Sequence, residues 1–347
     1  MKNREKTSFL FLLILALCFL CSCHHDRVVN TSFYYWKTVY KANKAEQDYL
    51  HHFKTQKLYV RIMDVDTDES SKLPVPISPV TFPSKLPDTL AIEPVVFIVN
   101  NILKNISHAQ LNDLAGKISN FVDGKIHQAG KYTFDEIQID CDWTASTREN
   151  YFYLLKKLQQ APYLKSRQFS VTLRLHQIKN QKGSGIPPVS RVMLMCYNMG
   201  NLRKYGPQNS ILEISELKKY INDNITAYPL PIDVGLPLFS WAVAFRDQQY
   251  IGIAKRISIG DLLNKNQFIF IGNNIYQAKR DLPDDGLKAN DEVRWEAISA
   301  RDLQSAAAYL SPLIKADTLN VIYFHLDEAN IKAYTYDDLE KTDHIFR

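Results

Sequence analysis

Two aspartates, Asp140 and Asp142, are the residues of this chain best placed by type and spacing to do chemistry. They lie in residues 134–144, FDEIQIDCDWT. Side chains alternate along a strand, so Gln138, Asp140 and Asp142 share one face, and Ile137, Ile139 and Cys141 share the other. Paired carboxylates at the end of a strand can give, take or orient a proton. They can also simply pair with Arg61 or Arg174, and that structural reading stays open.

The surrounding chain reads as the frame for this strand. Further strand patterns fall at residues 32–36, 58–66, 91–100, 169–177, 192–199, 232–241 and 320–328, with mainly apolar cores. Helix signals follow several of them. Asn43/Glu46, Ser107/Gln110 and Ser146/Glu149 have capping-box spacing, and Ser299 and Asp302 start a last helix. Residues 70–88 carry five prolines and read as a long loop, as do the residues after strand five. Residues 243–298 read as short antiparallel strands. The expected fold is α/β, a (β/α)8 TIM-type barrel with irregular connections and an inserted α+β lobe after strand seven. A doubly wound open sheet is the rival, but no G-x-G-x-x-G follows a strand.

In such a barrel the C-terminal strand ends form the mouth, where barrel enzymes keep their chemistry. That rule gathers Arg61, Asp140, Asp142, Arg174, His176, Tyr197 and Asn198, with Trp36, Trp143 and Trp241. Flat rings with a polar edge suit the face of a sugar; each tryptophan taken alone is more readily core, and their clustering at strand ends is the signal. No G-x-S-x-G elbow is present and no spacing demands a metal, so neither metal nor cofactor is expected.

Composition and the N-terminus bound the rest. With 347 residues, 46% hydrophobic and 23% charged, the chain is globular in character and can hold one large barrel. Lys2, Arg4 and Lys6 precede an apolar run at residues 9–20, a pattern expected of a signal peptide. Leu20-Cys21-Ser22-Cys23 resembles the bacterial lipobox, which implies lipidation at Cys23 after removal of residues 1–22. Residues 23–31 would be a tether and 32–347 the barrel. The expected product is an exported lipoprotein held on a membrane, with His24 after the cysteine favouring the outer membrane. Processing would lower the formal charge from +5 to +3, which with no basic run argues against a nucleic-acid partner. Cys141 and Cys196 read as buried thiols on separate strands rather than a disulfide framework.

A family pattern emerges from these strands. Asp135-x-x-Gln138-x-Asp140-x-Asp142 resembles the strand-four motif D-x-x-D-x-D-x-E of glycoside hydrolase family 18, the chitinase and endo-β-N-acetylglucosaminidase family. Met195-Cys-Tyr197-Asn198 is similar to its strand-six M-x-Y-D, and Gly235-Leu-Pro-Leu-Phe239 to its strand-seven G-L-P-x-Y. The resemblance implies Asp142 as general acid, Asp140 as the carboxylate that orients an acetamido group, and Tyr197 as the clamp on its carbonyl. This substrate-assisted route is an exception to the two-carboxylate rule of glycosidases. Trp36, Gln138, Trp143, Asn198, Trp241, Arg61, Arg174 and His176 would line the glycan site. Asp142 replaces Glu and is one methylene shorter, and Gln138 and Asn198 each replace Asp. Three readings follow: a glycosidase acting on N-acetylglucosamine-containing glycans, a glycan-binding protein without hydrolysis, and a structural lipoprotein whose mouth is filled by its own side chains.

Overall fold

The computed structural model describes residues 27–68, 70 and 73–347. The expected signal peptide and the lipidation site Cys23 lie outside the described residues.

The strands are β1 (Val28–Tyr35), β2 (Lys57–Thr67), β3 (Pro74–Ile77), β4 (Ala91–Ile98), β5 (Glu136–Cys141), β6 (Gln168–Leu173), β7 (Arg191–Met195), β8 (Ile232–Pro237), β9 (Trp241–Arg246), β10 (Gln249–Ile253), β11 (Phe268–Gly272), β12 (Ile275–Ala278), β13 (Glu292–Glu296) and β14 (Thr318–Phe324). The main helices are α1 (Lys44–His52), α2 (His108–Gln128), α3 (Arg148–Gln160), α4 (Leu175–Lys179), α5 (Ile214–Ile221), α6 (Ala300–Leu310) and α7 (Tyr336–Phe346). Eight parallel strands run in the order β1-β14-β8-β7-β6-β5-β4-β2, and pairing of β1 with β2 closes the barrel. Strands β9 to β13 form a separate antiparallel sheet, the lobe, in the order β10-β9-β13-β12-β11. The expected barrel with a lobe after the seventh barrel strand is therefore the fold.

Local chemistry explains most of the element ends. Reciprocal capping boxes open α1 at Asn43/Glu46, α2 at Ser107/Gln110 and α6 at Ser299/Asp302. The expected box at Ser146/Glu149 does not form. Thr147 is the N-cap of α3, and its hydroxyl instead donates to Asn100 Oδ1 at 2.6 Å, tying the ends of β4 and β5 together.

Other boundaries also differ from expectation. Residues 28–31, expected in the tether, pair with residues 318–321 of β14, as the β-branched Val28, Val29 and Thr31 allow. The proline-rich segment holds β3, which lies antiparallel along the end of β2. Pro74 and Pro76 are tolerated there because β3 is an edge strand. The fifth barrel strand, β6, stops at Leu173, and the chain turns directly into α4. The seventh barrel strand, β8, stops at Pro237, and Trp241 opens the lobe.

Below the mouth, the N-terminal end of the barrel is filled by buried polar pairs. Lys57 lies 2.9 Å from Glu93, Ser170 donates to Glu136, and Asp233 accepts from Asn320 at 3.0 Å with Arg191 at 3.3 Å. Burial pushes the Glu93 carboxyl from 4.5 up to about 7, against the pull of Lys57. A raised carboxyl makes its full contribution to stability below its unfolded value, and the contribution is lost as pH rises through the folded value. Glu93→Gln is therefore expected to gain on the wild type between pH 4.5 and pH 8, by on the order of 2 kcal/mol. Chemical denaturation at both pH values measures this. An unchanged difference would rule out the burial of an ionising Glu93.

Candidate active site

The mouth is built by the ends of β5, β6, β7, β8 and β14 and by the turns that leave them. Asp140 is the last inward-facing residue within β5 and is buried at 4% exposure. Its carboxylate accepts from Thr172 Oγ1 and lies 3.6 Å from Arg174 Nη2. A carboxylate held by a hydroxyl and a guanidinium is fixed in orientation, as an orienting group must be. Burial opposes the charge on Arg174, but Asp140 and Asp142 outweigh it and hold the guanidinium protonated.

Asp142 stands one step beyond the strand, with its side chain 55% exposed. Its Oδ1 is 3.4 Å from His176 Nε2. Tyr197 follows β7 and is buried, its ring stacked on Phe324 at 5.4 Å and edge-on to Phe239 at 6.1 Å. Burial pushes its phenol well above the usual range, so Tyr197 remains a hydrogen-bond donor at any physiological pH. Asn198 adopts a left-handed backbone, φ 56°, which turns the chain out of the barrel and leaves its side chain exposed. Asp142, Arg174, His176, Tyr197, Asn198 and Tyr220 line one cleft of about 290 Å³.

Beside this cleft runs an aromatic floor. Trp36 packs against Phe324 at 5.4 Å, and Phe324 against Phe239 at 5.8 Å. Phe239 meets Trp241 at 5.2 Å. Trp36 and Trp241 are both half-buried, leaving part of each ring open to solvent. The Trp241 indole N–H donates to Glu296 Oε2 at 2.9 Å, so a carboxylate of the lobe sets its orientation. The mouth is thus partly filled by its own rings and partly open over Asp142 and Tyr197.

Four residues expected at the glycan site sit elsewhere or are already engaged. Trp143 is fully buried, stacked on Tyr151 at 5.0 Å, and its indole donates to Ser184 O at 2.8 Å. It continues the odd-numbered face of Ile137, Ile139 and Cys141, which turns toward the helices. Gln138 lies inside the barrel below Asp140, accepting from the Tyr34 hydroxyl and donating to Ser170 at 3.2 Å, with 1% exposure. Arg61 is buried, paired with Asp64 at 2.7 Å and set 5.8 Å over the Trp36 ring. It therefore acts on the mouth through Trp36. His176 reaches the mouth from α4 and not from a strand face.

Thr172, Phe239, Phe324, Tyr220 and Glu296 are mouth residues that the sequence reading does not assign to the site. Thr172 shares the inward face of β6 with Ser170, a signal available from alternation alone. The place of Glu296 follows only from the docking of the lobe. Cys141 and Cys196 are free, buried thiols. Among the described residues, no group of three or more His, Cys, Asp or Glu side chains is arranged to hold a metal ion.

The chain is a closed (β/α)8 barrel with an added antiparallel lobe. No family model matches the sequence, and no curated protein is similar to it. Among solved structures, it is similar to the spore cortex-lytic enzyme SleL of Bacillus cereus, with TM-score 0.56 and 16% identity over 93% of this chain and 75% of that one. It is also similar to a chitinase of Chromobacterium violaceum, with TM-score 0.52 and 13% identity over 91% and 98%. A group II chitinase catalytic domain of Ostrinia furnacalis gives TM-score 0.51 and 10% identity over 93% and 97%. At these identities the likeness is one of fold.

Proposed function

We propose that this protein is a lipid-anchored, glycan-active barrel that hydrolyses N-acetylglucosamine-containing glycans with retention, by substrate-assisted catalysis. The observation that carries the reading is the meeting of Asp142, Arg174 and Tyr197 in one open cleft, with Arg174 also 3.6 Å from the buried carboxylate of Asp140. Chitinase and SleL structures of the same fold support a glycan substrate. The Tyr197 hydroxyl would donate to the acetamido carbonyl, and Asp140 would accept from the acetamido N–H. The carbonyl oxygen then attacks the anomeric carbon as Asp142 gives its proton to the departing glycosidic oxygen. Water opens the resulting oxazolinium ring and returns a proton to Asp142. The anchor is the diacylglycerol expected on Cys23, which would hold the barrel at a membrane surface.

The test is a hydrolysis screen over chitooligosaccharides, peptidoglycan and N-linked glycans, with an Asp142 variant as control. A second reading, glycan binding without turnover, is favoured by the shortness of Asp142 and its pairing with His176. It predicts saturable binding that survives Asp142→Asn and weakens in Trp36→Ala or Trp241→Ala. No response across a glycan array would remove it.

A further inference from the structure

We propose that the lobe positions the acetamido clamp: the carboxylate of Glu296, acting through Ser210, sets the place of residues 198–200 and with them Tyr197. The inference rests on the glycosidase reading above, and adds to it a positioning residue that lies outside the barrel.

Tyr197 stands past the end of β7, where the strand ladder no longer holds the chain. Two sets of backbone bonds flank it. On the barrel side, the Cys196 N–H donates to Gly235 O at 3.0 Å. On the outer side, the Asn198 N–H donates to Ile211 O at 2.8 Å, and the Met199 and Gly200 N–H groups both donate to Ser210 O, at 3.1 and 3.2 Å. Gly200 sits so close that a Cβ there would lie 2.8 Å from Ser210 Cα. Phe324 and Phe239 pack against the Tyr197 ring, while residues 210 and 211 hold the backbone that follows it.

That support is itself held by the lobe. Residues 201–213 form neither helix nor strand, so bonds from elsewhere must fix them. Glu296, the last residue of β13, accepts from the Ser210 N–H at 2.7 Å and from the Ser210 hydroxyl at 2.6 Å. Asn209 donates to Ala297 O at 2.9 Å. Arg294 donates to the carbonyls of Leu202, Lys204 and Gly206 at 3.2, 2.8 and 3.1 Å. Bonds with an ionised partner are the strong ones, and Ser210 is 1% exposed, so water does not compete for them. The route from lobe to clamp thus runs from Glu296 to Ser210, to residues 198–200, to Tyr197. A donor that meets charge developing in a transition state works only if it is already in place. The same Glu296 Oε2 orients the Trp241 indole, so one lobe carboxylate serves both the sugar platform and the clamp.

The experiment measures kcat and KM of full-length variants on whichever of the screened chitooligosaccharides, peptidoglycan and N-linked glycans the wild type hydrolyses. Gly200→Ala pushes residues 198–200 away from Ser210 and leaves Glu296 paired with Arg294 and Trp241. Its kcat is expected to fall about ten- to hundredfold, the order of loss when a catalytic group moves by about 1 Å, while KM changes by less than about threefold. Ser210→Ala removes one of the two bonds to Glu296 and should lower kcat severalfold; it decides the matter if Gly200→Ala does not fold. Arg246→Gln is the control, because it breaks a lobe ion pair with Asp291 that takes no part in this route. It should lower Tm and leave kcat unchanged. Unchanged kcat in the Gly200 and Ser210 variants would overturn the positioning role, as would an equal fall in Arg246→Gln at a matched loss of Tm. No hydrolysis by the wild type on any of these glycans would instead remove the glycosidase reading, and the positioning role with it.

Discussion

Asp142→Asn is expected to remove hydrolysis of the responsive glycan, a loss on the order of a hundredfold to ten-thousandfold in kcat, the usual worth of a positioned general acid. Asparagine keeps the shape of the side chain but has no proton to give to a leaving group. The side chain is 55% exposed, so the melting temperature should not move, and lost activity can then be assigned to chemistry. Asp142→Glu is the complementary variant. Misplacing a catalytic group by about 1 Å can cost roughly a hundredfold in rate, and the extra methylene would give the acid the reach of a glutamate. Hydrolysis by Asp142→Glu at or above the wild-type rate is therefore expected. Full activity in Asp142→Asn would exclude Asp142 as the acid, and no hydrolysis by the wild type on any glycan in the screen would leave binding as the function.

Glu296→Ala should be the most damaging single change at the junction of barrel and lobe, with about 3–5 kcal/mol lost in denaturant unfolding. Glu296 is 2% exposed and gathers five donors. Its Oε1 takes Arg294 Nε at 2.7 Å and Arg294 Nη2 at 2.6 Å. Its Oε2 takes the backbone N–H of Ser210 at 2.7 Å, the Ser210 hydroxyl at 2.6 Å and the Trp241 indole at 2.9 Å. Truncation strands Arg294, itself 1% exposed, as an uncompensated buried charge. It also releases Trp241 from its fixed orientation, so glycan binding should weaken along with stability. Glu296→Gln keeps one acceptor oxygen and should lose less of both. A loss below about 1 kcal/mol in Glu296→Ala would mean that the pair is not insulated from water.

The barrel was legible in the sequence because buried parallel strands announce themselves as apolar runs, and because capping boxes mark helix starts through local bonds. Asn43, Ser107 and Ser299 cap their helices as their spacing requires. Errors arose where a distant partner offered a better bond or where alternation was not carried through. Thr147, not Ser146, is the N-cap of α3, and its hydroxyl donates to Asn100. Trp143 kept the outward face of Cys141, and its indole found Ser184 in the helical layer. His176 moved from strand to helix because β6 ends at Leu173.

What the sequence determined by itself was the strand of Asp140 and Asp142, the order of the elements around it and the position of the lobe, since each depends on neighbours only a few residues away. What only the tertiary structure decided was which side chains meet. Asp140 is held by Thr172 of the adjacent strand and Arg174 just beyond it, Asp142 lies beside His176 at 3.4 Å, and Trp241 is oriented by a carboxylate 55 residues later. Those contacts depend on barrel closure and lobe docking, which bring together residues that no local spacing relates.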